Sequence, residues 1–261
     1  MTPEPYLCGE PRAAFDRWLE ASVARFVPPL TFAEVRKGVR ALSALYVERR
    51  AAGSLAARAV EGRGKRAALA TCYGPLHFLT AWHALDGPAL ERLAQVGRIH
   101  DLGCGTGAAG AAVGLALGRR PRVAAIDRSG WALGEARRTY AAFGLAARLR
   151  RAALPRALPA RSGPEDLLLA GWALNELGRE DRDAVLTRLL EAARSGAHVL
   201  VLEPLAGPVS PWWDAWAPRF TARGAEARLV KRAVALPDWL ARLDRAAGLD
   251  HAVLGARVLL G

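Results

Sequence analysis

The chain has 261 residues, of which 52% are hydrophobic and 24% are charged, and this is enough apolar material for a large packed core. It has no run of about 18 uncharged apolar residues and no basic start followed by an apolar run, so we expect neither a membrane span nor a secretory signal. Three well-separated cysteines without a Cys-x-x-Cys pair argue against a zinc or iron–sulfur site made by thiolates alone, and we expect no metal and a reduced, cytoplasmic chain.

The charge is strongly basic. The formal net charge is +12 at pH 7 and the isoelectric point is about 10.8, a balance typical of proteins that bind nucleic acid. Only three of the 37 basic residues are lysines, however, and the chain is rich in Ala, Gly, Pro and Leu, as expected of a GC-rich genome. The arginine excess therefore indicates either contacts with phosphates or compositional drift, and the sequence leaves both open.

The first part of the chain, residues 1–97, has a helical pattern. Residues 13–27 form an amphipathic segment, and Thr31 with Glu34 three residues later predicts a capping box at the start of the next helix. The three- and four-residue spacing of that helix predicts one apolar face, formed by Val35, Val39, Leu42, Leu45 and Tyr46. We expect this region to be a helical domain that caps the substrate site.

From residue 98 onward, short β-branched or leucine-rich runs alternate with helical segments. We predict strands over residues 98–102, 123–126, 147–152, 166–170, 198–202 and 252–260. We predict helices over residues 108–117, 131–143, 180–194 and 238–247, and an insertion over residues 207–224. This alternation predicts an α/β domain over residues 98–261, with a doubly wound, mostly parallel sheet and helices on both faces.

A glycine-rich loop follows the first of these strands, in the segment Asp101-Leu102-Gly103-Cys104-Gly105-Thr106-Gly107. Glycines permit positive φ and let a ligand approach the backbone, and the following helix presents free N–H groups. Asp127 lies 20 residues beyond Gly107 at the end of the next strand, where a carboxylate can accept both hydroxyls of a ribose. We interpret Cys104 as a small residue that fits the loop and not as a nucleophile.

The segment Gly105-Thr106-Gly107-Ala108-Ala109-Gly110 also matches the dinucleotide pattern G-x-G-x-x-G. Electrostatics distinguish the two possible ligands. A dinucleotide brings a pyrophosphate to the helix start, and Asp101 would repel it. S-adenosylmethionine (SAM) brings an ammonium and a sulfonium, and attraction between opposite charges near a surface reaches up to ~4 kcal/mol at about 4 Å before desolvation. The acidic residue therefore favours SAM.

Residues 101–107 fill every fixed position of D-x-G-x-G-x-G and resemble motif I of the class I SAM-dependent methyltransferases. Residues 123–129, 166–177 and 198–204 are similar to the later motifs of that family, in the family's order. The resemblance implies SAM as the cofactor and methyl transfer as the activity. It implies cofactor contacts from Asp101, Gly103, Cys104, Gly105, Gly107, Asp127, Arg128, Ala153, Leu154, Ala170 and Gly171.

The sequence departs from the family pattern in two places. The acidic residue that often binds adenine after the third strand is missing, so adenine is expected to contact the backbone and apolar atoms around Ala153 and Leu154. The stretch after Ala170 lacks the Asn/Asp-Pro-Pro-Tyr/Phe motif of amino-group methyltransferases, and the catalytic residue stays undetermined. Glu176 is a weak candidate for a general base. The alternative interpretation is that its carboxylate is solvated or caps the short helix.

Four residues are candidates for a substrate pocket: Tyr73, His77, Trp172 and Asn175. For Tyr73 and His77 the alternative is a packed aromatic helix, which Gly74-Pro75 would interrupt or kink. Residues 40–50 and the following Tyr-Gly-Pro segment also loosely resemble a narrower group, the methyltransferase-like proteins of small ribosomal subunits. That group usually has a cysteine cluster and a longer carboxyl-terminal part, and this chain has neither.

Three functions are therefore open. The first is methylation of ribosomal or other structured RNA, with phosphate contacts expected from Arg36, Lys37, Arg40, Arg49, Arg50, Arg63, Lys65 and Arg66. The second is methylation of a small molecule, with the tryptophans of residues 212–216 as the wall of an apolar pocket. The third is a SAM-fold ribosome-assembly protein without catalysis.

Overall fold

The structure, a computed structural model, describes residues 3–47, 59–205 and 210–261. The chain divides into two compact units, which we call the helical unit (residues 1–79 and 231–254) and the sheet unit (residues 80–230 and 255–261). No helix within the described ranges is long and apolar enough to cross a membrane.

The helices and the strands are each numbered in chain order. The α-helices are α1 (Gly9–Phe26), α2 (Phe32–Val47), α3 (Arg63–Ala68), α4 (Gly74–His83), α5 (Gly87–Arg92), α6 (Ala108–Ala116), α7 (Gly130–Ala142), α8 (Arg179–Arg194), α9 (Trp213–Thr221) and α10 (Asp238–Ala247). The strands are β1 (Glu4–Pro5), β2 (Arg98–Leu102), β3 (Arg122–Asp127), β4 (Ala147–Arg151), β5 (Asp166–Gly171), β6 (His198–Glu203), β7 (Glu226–Ala235) and β8 (Val253–Leu260). A π-helix covers Leu69–Tyr73 and a 3-10 helix covers Leu174–Glu176.

Helix α2 begins with the predicted capping box. The Thr31 N–H donates to Glu34 Oε2 at 2.7 Å, and the Glu34 N–H donates to Thr31 Oγ1 at 3.3 Å. The apolar face that the spacing predicts is buried, since Val35, Val39 and Leu42 are fully enclosed. Both sequence predictions for this helix are confirmed.

The Gly74-Pro75 pair does not interrupt the helical path, and the kink expected there stays a prediction. Residues 63–83 are helical throughout, with the π-helix just before Gly74. Proline has no N–H to donate to the carbonyl four residues earlier, which here belongs to Thr71. The indole N–H of Trp239 donates to that Thr71 oxygen at 3.0 Å instead. The backbone group that the proline leaves unpaired is therefore satisfied from a distant part of the chain.

The helical unit includes α10, although the sequence suggests a division into residues 1–97 and 98–261. Trp239 packs edge-on against Phe32, with the ring centroids 5.7 Å apart. Arg40 donates to the carbonyls of Ala246 and Ala247 at the end of α10, at 3.2 Å each. These contacts join α10 to α2. That residues 1–97 and 98–261 form two separate domains stays a prediction.

The strands form an eight-stranded sheet with the order β1-β7-β8-β6-β5-β2-β3-β4. The pairs from β6 through β4 are parallel, and β8 runs antiparallel to β6. Helices α6 and α7 lie on the face that carries Asp101, and α8 packs on the opposite face, which carries Leu102, Ile126 and Leu168. The predicted mostly parallel, doubly wound sheet is confirmed.

The sheet unit also differs from the prediction in two places. Strand β7 and helix α9 are additional elements, and the expected insertion contains α9. Within it, the indoles of Trp212, Trp213 and Trp216 are buried in the core beside α8. The Trp216 N–H donates to Asp183 of that helix at 3.0 Å. These rings therefore pack as core and do not wall an open pocket.

We predict that Trp239→Phe lowers the free energy of unfolding by ~1–3 kcal/mol, because it leaves the buried Thr71 carbonyl unpaired. In a Pro75→Ala background the loss should be smaller, since an alanine N–H at position 75 can bond to the same carbonyl. Urea unfolding of the four proteins of this double-mutant cycle measures the difference. Equal losses in both backgrounds would contradict the assignment.

Candidate functional site

The glycine loop leaves the carboxyl end of β2 with three residues at positive φ: Gly103 at 71°, Gly105 at 54° and Gly107 at 78°. A Cβ atom on Gly103 would lie 2.8 Å from the Ala173 Cβ, and one on Gly107 would lie 3.0 Å from Ala136. At Gly105, apart from its chain neighbours, no atom of the described residues lies within 4 Å of that position. Two glycines are therefore required by packing, while the third faces open space where a ligand can approach the backbone.

The carboxylate of Asp101 is buried beneath this loop. The Tyr140 hydroxyl of α7 donates to Asp101 Oδ2 at 2.7 Å, and the Gly110 N–H of α6 donates to the same carboxylate. A Cβ atom on Gly110 would overlap Asp101 Oδ2. Position 110 is thus a glycine because the carboxylate occupies the space of a side chain. This explains the match to the dinucleotide pattern without a dinucleotide.

Burial raises the pKa of the Asp101 carboxyl to about 7, and the negative charge of Asp127 acts in the same direction. The bonds from Tyr140 and Gly110 oppose that shift. Asp101 is only 1% exposed, so it offers almost no surface for direct contact with a ligand. A direct bond to the methionine ammonium stays a prediction.

Asp127 ends β3 beside the same loop. Its Oδ2 accepts the Gly105 N–H at 2.9 Å, and its Oδ1 accepts the Ser129 N–H at 2.7 Å. Burial raises the pKa of the Asp127 carboxyl above its ordinary value, while these two bonds act in the opposite direction. Each oxygen keeps capacity for a further donor, so the carboxylate can accept the hydroxyls of a ribose. Arg128 follows it and is exposed.

The remaining loop and adenine-side candidates have simple environments. Burial raises the pKa of the Cys104 thiol, so the side chain stays neutral, as expected of a residue that fits the loop. Leu154 is half-buried and lies 3.8 Å from the position that a Cβ atom on Gly103 would occupy, while Ala153 is exposed. Their contact with adenine stays a prediction.

The carboxyl end of β5 carries the next group of candidates. Ala170 is fully buried, and a Cβ atom on Gly171 would lie 3.0 Å from the Ala109 Cβ. Trp172 adopts a positive φ of 56°, rare for a non-glycine residue, and its N–H donates to Leu202 O at 2.7 Å. Its side chain is partly exposed. Strained backbone of this kind is concentrated at functional sites.

Asn175 belongs to a buried polar cluster that the sequence does not predict. Its Nδ2 donates to the Glu203 carboxylate and to Ser210 Oγ, the latter at 3.1 Å, and its Oδ1 accepts the Trp212 indole N–H at 3.0 Å. Glu203 and Ser210 are almost fully enclosed. Asn175 therefore clamps the segments after β5 and β6 together. The sequence gives one indication of this cluster: Glu203 is a carboxylate at the end of an otherwise apolar strand.

The other candidates are spread over both units. Glu176 is half-buried in the 3-10 helix, and nothing in its position assigns it a base role. Tyr73 belongs to the helical unit, where its hydroxyl donates to Val39 O at 3.4 Å and its ring lies 6.5 Å from that of His77. Burial raises the pKa of Tyr73. These contacts fit the packed aromatic helix, and a substrate role for either residue stays a prediction.

The open space over Gly105, the acceptor capacity of Asp127 and the neighbouring carboxyl groups of Asp101 and Asp127 fit a ribose-bearing cation. Together with the strand order, they define the sheet unit as a class I SAM-binding domain. Residues 99–196 match a family model described as a methyltransferase domain. The chain carries a domain of this family, its cofactor is SAM, and it is a SAM-dependent methyltransferase.

Solved structures resemble this fold at low sequence identity. Mitomycin 7-O-methyltransferase MmcR is 15% identical over 98% of this chain and 69% of that chain, with a TM-score of 0.51. Precorrin-6y C5,15-methyltransferase from Geobacter metallireducens GS-15 is 17% identical over 66% of this chain and 82% of that chain, with a TM-score of 0.42. Among curated proteins none matches the chain significantly. The narrower resemblance to the small-ribosomal-subunit group stays a prediction.

We predict that Asp127→Ala weakens binding of S-adenosylhomocysteine by ~1.5–3 kcal/mol, because the ribose hydroxyls lose a charged acceptor. Asp127→Asn is the matched control: it keeps one oxygen acceptor and should lose less. Calorimetric titration measures both affinities. Unchanged affinity in Asp127→Ala would remove Asp127 from the site.

We also predict a pH-dependent effect of Asp101→Asn. The pKa of Asp101 is raised from 3.8 to about 7 on folding, so the folded chain holds that proton more tightly. The stability that this gives is complete below pH 4 and is lost as the pH rises through about 7. The free energy of unfolding of the wild type, minus that of Asp101→Asn, should therefore fall between pH 4 and pH 7. Chemical unfolding across this range checks the slope, and a flat difference would contradict it.

Proposed function

We propose that the chain methylates RNA. The observation that carries this proposal is a pair of exposed arginines at the carboxyl edge of the sheet, beside the cofactor loop. Arg128 follows β3 and Arg151 ends β4, and the Arg151 Nε donates to the Arg128 carbonyl at 3.0 Å. The bond holds both residues next to Asp127. Guanidinium groups at this edge suit the phosphates of a nucleic acid whose reacting nucleotide reaches the cofactor.

Trp172 supports an acceptor that is flat. Its partly exposed indole lies at the carboxyl end of β5, the edge where ligands of such sheets bind. Enzymes that act on a base unstack it and hold it against aromatic side chains. SAM supplies the methyl group on its sulfonium, so the protein's main task is to align the acceptor and exclude water.

The basic residues of the helical unit support this proposal less than expected. Arg40 and Arg66 donate to backbone carbonyls, and Lys65 lies 3.8 Å from Glu61. Arg49 and Arg50 lie outside the described residues. A role for this set in RNA binding stays a prediction, and we assign the first contacts to the arginines of the sheet unit.

A second candidate is methylation of a small molecule. The likeness to Mitomycin 7-O-methyltransferase MmcR extends over 98% of this chain, including the helical segments. A flat small molecule could stack on Trp172 as a base would. The two candidates differ in salt dependence, because only an RNA acceptor is held by many phosphate contacts.

The test is transfer of a labelled methyl group from SAM to purified total RNA and, separately, to a small-molecule extract. We expect RNA to be labelled, with less labelling as the salt concentration rises. Trp172→Gly should reduce transfer by the loss of stacking, ~1–3 kcal/mol, while Trp172→Phe keeps most of it. Binding of S-adenosylhomocysteine is the control and should not change. Label in the extract alone would select the second candidate.

A further inference from the structure

A groove of about 400 Å³ opens on the sheet unit, on the face that α8 covers only in part. Its floor is formed by β2, β3 and β4, and its wall by residues 157–160. The connection between β4 and β5, residues 152–165, contains no helix, and this connection leaves the edge of the sheet uncovered. In a doubly wound sheet this face is ordinarily packed against a helix, so an open groove here requires an explanation.

The strand register places two arginines along this groove. His100, Ala124 and Arg148 are in one row across the three strands, and Leu102, Ile126 and Arg150 form the next row. Arg148 and Arg150 thus project on the same side of β4, about 6.6 Å apart at ~3.3 Å per residue. The Arg150 Nη2 donates to the Ala157 carbonyl at 2.9 Å, which fixes this guanidinium at the groove wall. Arg148 is exposed.

The positive charge of the groove is not balanced locally. Asp166 is engaged at the amino end of the face, where its Oδ1 lies 3.1 Å from Arg98 Nη1 and 3.0 Å from His100 Nε2. Its other oxygen accepts the Gly163 N–H at 2.9 Å. Among the described residues no ion pair joins Arg148 or Arg150 to a carboxylate. The groove therefore combines a small apolar floor, at which Ala124 is partly exposed above the buried Leu102 and Ile126, with two arginines that no described carboxylate pairs.

We propose that this groove, which we call the Arg148 groove (His100, Ala124, Arg148, Arg150 and residues 157–160), binds a single-stranded segment of RNA. Successive phosphates would contact Arg148 and Arg150, and a base would lie on the apolar floor or against a guanidinium plane. An inorganic phosphate would contact the arginines but not the apolar floor, so a nucleotide fits the groove better. The assignment rests on the proposed function. It adds a second contact region, on the opposite face of β4 from Arg151, which is in register with Asp127.

The test is binding of a fluorescently labelled single-stranded RNA in the absence of SAM. Arg148→Gln/Arg150→Gln should weaken binding about tenfold and reduce the slope of log K against log salt by ~1.4, at ~0.7 per phosphate contact. Arg119→Gln/Arg137→Gln is the matched control. It removes the same charge away from the groove, with Arg137 on α7 against the opposite face, and should change neither value appreciably.

The outcomes separate the groove from the proposed function. If wild type binds and methylates RNA but both double variants bind equally well, the groove assignment is overturned and the function stands. If RNA binds in the groove and is never methylated, the proposed function fails alone. Photo-crosslinking of the RNA to the wild-type protein gives a readout that does not depend on the variants folding. Crosslinks within residues 148–160 support the groove, and crosslinks confined to other segments overturn it.

Discussion

The buried carboxylate of Asp101 connects the parts of the cofactor site. It lies at the end of β2, accepts a hydroxyl from Tyr140 of α7 and an N–H from Gly110 of α6, and so fixes two helices against the strand from which the loop departs. The loop can then reach Asp127 through the Gly105 N–H. Because a buried carboxylate is costly to leave unpaired, these contacts constrain which residues can occupy positions 110 and 140.

The binding loop and most of the sheet could be predicted from the sequence because their signals are local. A capping box such as Thr31–Glu34 and an apolar stripe such as that of α2 are set by neighbours within one or two turns. The D-x-G-x-G-x-G segment combines a strand, a turn and a helix start in seven residues. Asp127 is distant in the chain, but the fixed length of a βαβ unit predicts its place.

The parts that could not be predicted depend on contacts between distant segments. Strand β7 has charged residues on both sides, so its sequence lacks the alternation that identifies a half-buried strand. Asn175 meets Glu203 and Ser210 only after three elements of the sheet unit are assembled. The open groove beside β4 arises because residues 152–165 form no helix. No short sequence motif predicts that a helix is missing from such a connection.

The bond from Trp239 to the Thr71 carbonyl has a consequence for how this sequence can evolve. The proline at position 75 and the tryptophan at position 239 compensate for each other, although 168 residues separate the two bonded groups. A lineage that replaces the proline first passes through a chain in which the tryptophan is merely redundant. A lineage that loses the tryptophan first passes through one with an orphaned buried carbonyl. The order of substitution is therefore constrained, and relatives lacking the tryptophan should also lack the proline.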